Sequence, residues 1–256
     1  MSYVDWKYQN AHLCCQPTIT RWVDSLLAVL SSWRCVLCLQ PAQGMDLCAD
    51  CLDDLPWLGT GCRHCAHPLP DASTAVCGRC ARTRELRDID ICVAALAYEF
   101  PVDRLITALK YTRKIEYARV LGELLAIRVH ELIRIDGYVL PDMVVAVPLH
   151  PWRLLQRSFN QAAEITRWVA YEHHLLINTG LVRRVRHTPG QAGLKRSARL
   201  GNLRDAFTLT ADVTNLRIAV VDDVVTTAAT THALARLLKH SGAAEVQVWA
   251  VARAIV

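Results

Sequence analysis

The chain has 256 residues, 52% of them hydrophobic and 21% charged, with a formal net charge of +5. That is enough apolar material for one large or two moderate folded domains, and it excludes a disordered or low-complexity class. So mild a positive charge does not by itself define a nucleic-acid binder.

In chain order, residues 1–34 read as a tail and one helix, from near Thr20 to Trp33, in which Trp22, Leu26, Leu27 and Leu30 recur at helical spacing. Arg21 and Asp24 interrupt the apolar patches there, and no small-residue cleavage site follows. Neither a signal peptide nor a membrane span is read, so the expectation is a cytoplasmic protein without membrane insertion.

Residues 35–82 carry four CxxC pairs: Cys35 and Cys38, Cys48 and Cys51, Cys62 and Cys65, Cys77 and Cys80. Two thiolates from one tight turn reach a single tetrahedral ion, and two such turns complete a Cys₄ site. The expectation is two structural Zn²⁺ ions. A redox CxxC usually stands alone at a strand-to-helix junction, and iron–sulfur ligands are spaced less regularly. Sequential and interleaved pairing of the four turns both keep the loops short, so spacing leaves the choice open. The segment is too short and polar to build its own core, and metal binding must supply its folding energy. His64 and His67 are expected to be solvated; Cys14 and Cys15 are assigned no role.

From residue 90 to 256 the pattern changes to alternating strands and helices, which predicts an α/β domain with a parallel sheet flanked by helices. Ile91–Tyr98 reads as a strand in which Cys92 behaves as a small apolar residue. Helices are predicted over Leu105–Lys110 and Ala118–Ile133, a strand over Met143–Pro148, and one long helix from Pro151 to His174. Further strands are predicted over Leu181–Val185 and Leu216–Asp222, and Glu245–Ala252 is expected to close the sheet.

The stretch Ile218–His232, IAVVDDVVTTAATTH, carries the clearest chemistry. An apolar run leads into Asp222 and Asp223, and threonines precede an amphipathic helix. The carboxyl end of a buried parallel strand is where open α/β sheets place ligands. A helix start offers N–H groups to an anion, and hydroxyls add donors. The two carboxylates suit ribose hydroxyls or hydrated Mg²⁺. Together they point to a sugar phosphate.

VVDDVVTTAAT resembles the ribose-phosphate signature of type I phosphoribosyltransferases. The resemblance implies that Asp222 and Asp223 hold the ribose of 5-phosphoribosyl-1-pyrophosphate and that Val224, Val225, Thr226, Thr227, Ala228, Ala229 and Thr230 surround its 5-phosphate. Ala228 stands where that signature usually has glycine. If the loop needs positive φ there, alanine is strained by about 1 kcal/mol or more.

Two further stretches are basic. MVVAVPLHP leads into a segment with Arg153 and Arg157, and RRVRHTPGQAGLKRSARLGNLRDAF carries Arg184, Arg186, Lys195, Arg196, Arg199 and Arg204. The second would serve as a lid over an anion or as a nucleic-acid contact. Taken in order, the CxxC pairs, LKYTRK, VPLHPWRLLQRSFNQA, RHTPGQAGLKRSARLGN and VVDDVVTTAAT resemble the ComF family of competence and DNA-utilisation proteins, from Cys35 onward. The resemblance implies a zinc module on a phosphoribosyltransferase-type domain, with Lys110, Arg153, Arg157, Asn160, Gln161, Thr188, Gln191, Arg199 and Asn202 around the ligand. Ser158 stands where the family commonly has glycine. If the protein is an enzyme, the resemblance implies displacement of pyrophosphate at the anomeric carbon, with Asp222 and Asp223 as the catalytic pair and Mg²⁺ accompanying the ligand. The other implied role is a non-catalytic adaptor that docks single-stranded DNA or a helicase-like competence protein through the zinc module.

Overall fold

A computed structural model describes residues 33–71, 73–83, 87–112, 114–135, 137–185 and 206–255. The helix expected from Thr20 and the site candidates Thr188, Gln191, Arg199 and Asn202 lie outside the described residues. The chain divides into two compact units, residues 1–55 and 56–256. The division falls inside the cysteine-rich segment, so each unit holds one Cys₄ group.

In the first unit Cys35 and Cys38 lie on a tight turn closed by the Arg34–Pro41 bridge. Leu39 follows in the left-handed region at φ 66°. Cys48 then caps the short helix α1 (Ala49–Asp53), which carries Cys51. The second unit opens with the same device. Gly61 and Pro68 bridge across the turn of Cys62 and Cys65, Ala66 takes φ 53°, and Cys77 caps α2 (Gly78–Arg82), which carries Cys80.

The elements that follow are β1 (Ile91–Ala97), α3 (Val102–Tyr111), α4 (Glu116–Ile133), β2 (Met143–Ala146), α5 (Pro151–Arg157), α6 (Gln161–Glu172), β3 (Leu176–Ile177), β4 (Val182–Arg184), β5 (Phe207–Leu209), β6 (Arg217–Val225), α7 (Ala229–His240) and β7 (Glu245–Arg253). Five strands form a sheet in the order β1-β7-β6-β2-β3, every pair parallel, and β4 and β5 form a separate antiparallel pair. The α/β class read from the sequence is the one observed. Four details differ. The predicted strand near Leu181 belongs to the separate pair. β7 lies between β1 and β6 rather than at an edge. Leu176–Ile177 adds a short edge strand that has no long apolar run to announce it. The helix expected from Pro151 to His174 is two helices, because Ser158 turns into the left-handed region at φ 69° and Asn160 caps a new start.

β6 from Ile218 to Val221 and β7 from Val248 to Ala252 are apolar on both faces because both are covered there. On one face the cysteines of the second Cys₄ group join Cys92, Ala94, Ile218, Val220, Val248 and Leu234 in a single buried cluster. The exposed edge of β1 is covered from the same segment: Leu58 N–H donates to Ala95, Ala97 N–H donates to Pro56, and Cys92 N–H donates to Arg63. Such cover blunts an edge that would otherwise invite pairing. α4 and α6 pack closely at Gly122, where a Cβ would meet the Trp168 Cβ at 2.5 Å. Buried Gln247 accepts from Tyr138 Oη at 2.7 Å and Trp249 Nε1 at 3.0 Å, and donates to the Val139 carbonyl at 2.9 Å.

The topology opens a crevice at one place. β2 connects through α5 and α6 to β3 on one side, whereas β6 connects through α7 to β7 on the other. Right-handed crossovers that diverge in this way put their helices on opposite faces and leave a gap at the carboxyl ends of β2 and β6.

Candidate functional site

β6 extends to Val225, and α7 begins at Ala229. Asp222 and Asp223 are therefore strand residues, and Thr230 and Thr231 lie in the first turn of α7. Only 226–228 form the connecting loop. Successive strand side chains point to opposite faces, so the two acids have different neighbours. Asp222 lines a small cleft, open to solvent, whose other walls are Val224 through Thr231. Asp223 instead accepts from Lys110 Nζ at 2.9 Å, at the end of α3.

The Asp223 backbone N–H donates to the Asp222 carboxylate at 2.9 Å. Burial, reinforced by the neighbouring Asp223 charge and only partly offset by Lys110, pushes the Asp222 carboxyl up to about 7. A second positive group near this carboxylate, or a cation, would favour its charged form.

Ala228 occupies the position before α7 at φ 61° and ψ 13°. The loop thus keeps the left-handed residue that glycine would favour, despite the methyl group. The Ala228 carbonyl takes the first hydrogen bond of α7, accepting from the His232 N–H at 2.8 Å, and also accepts from Thr231 Oγ1 at 3.2 Å. Amide N–H groups at the start of α7 are left without intrahelical partners, as at any helix start.

The arginine-bearing segment sits at the end of β2. Val147 N–H donates to the Val221 carbonyl, which keeps this strand end beside β6. Arg157 donates to Gln161 Oε1 at 3.0 Å and stacks over Tyr111, 5.3 Å from the ring centre. Asn160 donates to the Val147 carbonyl at 3.0 Å and accepts from the Ala162 N–H at 3.1 Å. Its amide is thus committed to holding the turn. Burial lowers the Arg184 pKa, and the neighbouring Arg153 charge adds to the shift. None of Lys110, Arg153, Arg157, Asn160 and Gln161 lines the Asp222 cavity itself.

Sequence reasoning passed over Arg253 and Arg79. Arg253 Nη1 donates to the carbonyls of Val225 at 3.0 Å and Thr226 at 2.5 Å, and Arg79 Nη2 donates to that of Thr227 at 3.3 Å. The signal for Arg253 was a charge that ends the apolar run Val248–Ala252.

The Cys₄ groups pair sequentially: Cys35, Cys38, Cys48 and Cys51 in one, Cys62, Cys65, Cys77 and Cys80 in the other, with all sulfurs of a group within 4.8 Å. A tetrahedron with metal–sulfur bonds of about 2.3 Å has sulfur–sulfur edges of about 3.8 Å. Cys38 and Cys48 stand 3.5 Å apart, and Cys65 and Cys77 3.8 Å. The donors fit Zn²⁺. A hydrogen bond from Cys65 draws the Cys62 thiol down to about 4, and the same bond, with burial, pushes Cys65 far up. Four such thiols cannot all ionise without a cation to hold them. His64 is not merely solvated, since its Nδ1 stands 2.6 Å from the Ile89 carbonyl oxygen.

A parallel α/β sheet with an acid pair at its carboxyl edge, joined to two Cys₄ ribbons, defines a zinc-ribbon α/β protein with a candidate anion site. A family model described as a double zinc ribbon domain matches residues 26–81. The chain is 35% identical over 237 residues to DNA utilization protein YhgH of Salmonella typhimurium, covering 91% of this chain and 96% of that protein. It is 31% identical over 236 residues to competence protein F of Haemophilus influenzae, covering 87% and 98%. The chain belongs to the ComF family, which these relatives represent. Solved structures similar in backbone include a purine phosphoribosyltransferase from Pyrococcus horikoshii, with a TM-score of 0.31 and 18% identity over 53% of this chain and 73% of that one. Another is the L. donovani hypoxanthine-guanine phosphoribosyltransferase, with a TM-score of 0.34 and 17% identity over 53% and 71%. No helix among the described residues is long and apolar enough to cross a membrane.

Proposed function

We propose that the protein binds 5-phosphoribosyl-1-pyrophosphate, or a closely related sugar phosphate, with Mg²⁺ at the carboxyl edge of β6, in the service of DNA uptake or utilisation. The observation that carries this reading is that Asp222 and the 226–231 turn share one cavity. The 5-phosphate takes the N–H groups at the start of α7 and the threonine hydroxyls. The ribose hydroxyls, or hydrated Mg²⁺, take the carboxylates. Mg²⁺ supplies charge neutralisation for the pyrophosphate. Lys110, already 2.9 Å from Asp223, shares that carboxylate with the incoming sugar. Arg153 and Arg157 stabilise charge on a departing pyrophosphate where transfer occurs. The role in DNA utilisation follows the names of the relatives, a DNA utilization protein and a competence protein.

Calorimetric titration of 5-phosphoribosyl-1-pyrophosphate with Mg²⁺ tests the reading. Wild type is expected to bind, and replacing both Asp222 and Asp223 by Asn is expected to weaken binding at least tenfold, about 1.4 kcal/mol. An unresponsive wild type overturns the ligand reading in favour of the adaptor role. Pyrophosphate release with candidate bases then separates turnover from sensing.

A further inference from the structure

The turn that shapes the Asp222 cavity is held from behind by the second Cys₄ ribbon. Arg253, at the end of β7, is only 3% exposed. Its Nη1 donates to the carbonyls of Val225 and Thr226, and its Nε donates to the carbonyl of Cys65 at 2.8 Å. Arg79 sits between Cys77 and Cys80 in the metal-binding turn and donates to the carbonyl of Thr227. Three successive carbonyls, 225 to 227, thus each have a guanidinium donor outside the cavity.

Two physical consequences follow. A carbonyl committed to a guanidinium does not turn its negative end on an anion in the cavity. Moreover, among the described residues Arg253 has backbone carbonyls and no carboxylate as partners. The positive charge of its guanidinium, bonded to the carbonyls of that turn, favours an anion bound there. Both guanidinium anchors lead back to zinc ligands: Arg253 to the carbonyl of Cys65, Arg79 to the turn between Cys77 and Cys80. The position of the anchors is therefore set where the metal fixes the chain.

We propose that Arg79 and Arg253 are positioning residues that couple the second Cys₄ site to the sugar-phosphate turn, so that metal occupancy and anion binding strengthen each other. The inference rests on the reading of that turn as a phosphate site. Coupling of two binding free energies is reciprocal. The ligand should therefore protect the metal as much as the metal improves the ligand's site.

The test uses the zinc-loaded full chain. Zinc release to a chromogenic chelator is followed with and without 5-phosphoribosyl-1-pyrophosphate and Mg²⁺, and Cys38→Ser, in the first group, identifies which phase belongs to the second. We expect the ligand to slow the second-group phase about tenfold. Arg79→Met should keep two zinc ions by native mass spectrometry and an unchanged unfolding temperature. It should nevertheless bind the ligand about tenfold more weakly and lose the protection. Arg253→Lys, which keeps the charge but not the fork, should show the same direction. If wild type binds the ligand but zinc release is insensitive to it and Arg79→Met binds as wild type, the coupling is wrong while the phosphate site stands. If wild type does not bind at all, the phosphate site itself is wrong.

Discussion

Ala228 and Ser158 stand in the same left-handed conformation, at φ 61° and 69°, but glycine has a different value at each. Ser158 is exposed, so glycine there relieves backbone strain and loses no packing; Ser158→Gly should stabilise the protein by about 1 kcal/mol in urea unfolding. Ala228 is 4% exposed and its methyl is part of the core. The relief is then offset by a lost buried methyl, about 0.8 kcal/mol, and Ala228→Gly should lie near neutral. A Ser158→Gly midpoint no higher than wild type would refute the strain account. Asp222 gives a second residue-scale expectation. Its carboxyl, pushed up to about 7, stays protonated in the fold while an unfolded aspartate ionises near about 3.9. The native state then holds more protons, so ligand-free stability should fall as pH rises from about 4 through 7. Asp222→Asn should flatten that fall and exceed wild type at pH 8 by on the order of 2 kcal/mol, allowing for water at the strand end. Equal slopes of unfolding temperature against pH for the two proteins would remove Asp222 as the cause. The acid pair was legible in the sequence because two carboxylates end an apolar run. Their separate partners were not, since Lys110 meets Asp223 only through the fold.

Helices α4 and α6 meet at the element scale through one missing side chain. A Cβ on Gly122 would stand 2.5 Å from the Trp168 Cβ and 3.1 Å from the Ile165 carbonyl oxygen, both fixed on the facing helix. Helix propensity alone favours Gly122→Ala by about 1 kcal/mol. The clash should reverse that sign and destabilise by about 1–3 kcal/mol, read from the chemical denaturation midpoint. A stabilised Gly122→Ala would show that the helices can move apart freely. Element type was largely legible, because apolar runs such as Val248–Ala252 are strands and the Ala118–Ile133 stripe is helical. Element order was not: β7 is last in the chain yet lies between β1 and β6, and nothing in its composition distinguishes a central strand from a closing one. The break after Arg157 was missed because the apolar stripe persists across it, while the left-handed Ser158 and the Asn160 cap are set by single residues.

At the scale of the molecule, the cysteine pattern announced two metal sites but not that the second would be built into the sheet unit. Cys62, Cys65, Cys77 and Cys80 are no more than 8% exposed and share a buried cluster with β1, β6, β7 and α7. A structural Zn²⁺ contributes an apparent 10–16 kcal/mol or so of folding free energy, against a total domain stability of about 5–15 kcal/mol. Removing it should therefore unfold more than the ribbon. The thiols it leaves behind repel one another's charge, and Cys92, beside them and pushed up to about 12 by burial, cannot take the charge in their place. The expectation is that a strong chelator at neutral pH abolishes amide exchange protection across β6 and β7, not only in residues 60–82. Arg253 carries the loss to the sheet end, because its bond to the Cys65 carbonyl is set against its bonds to Val225 and Thr226. Acid should mimic the chelator, since protons compete with zinc for thiolates. If β6 and β7 stayed protected after native mass spectrometry showed both ions gone, the metal would be confined to holding its own turn, and the sheet would owe its stability to apolar packing alone.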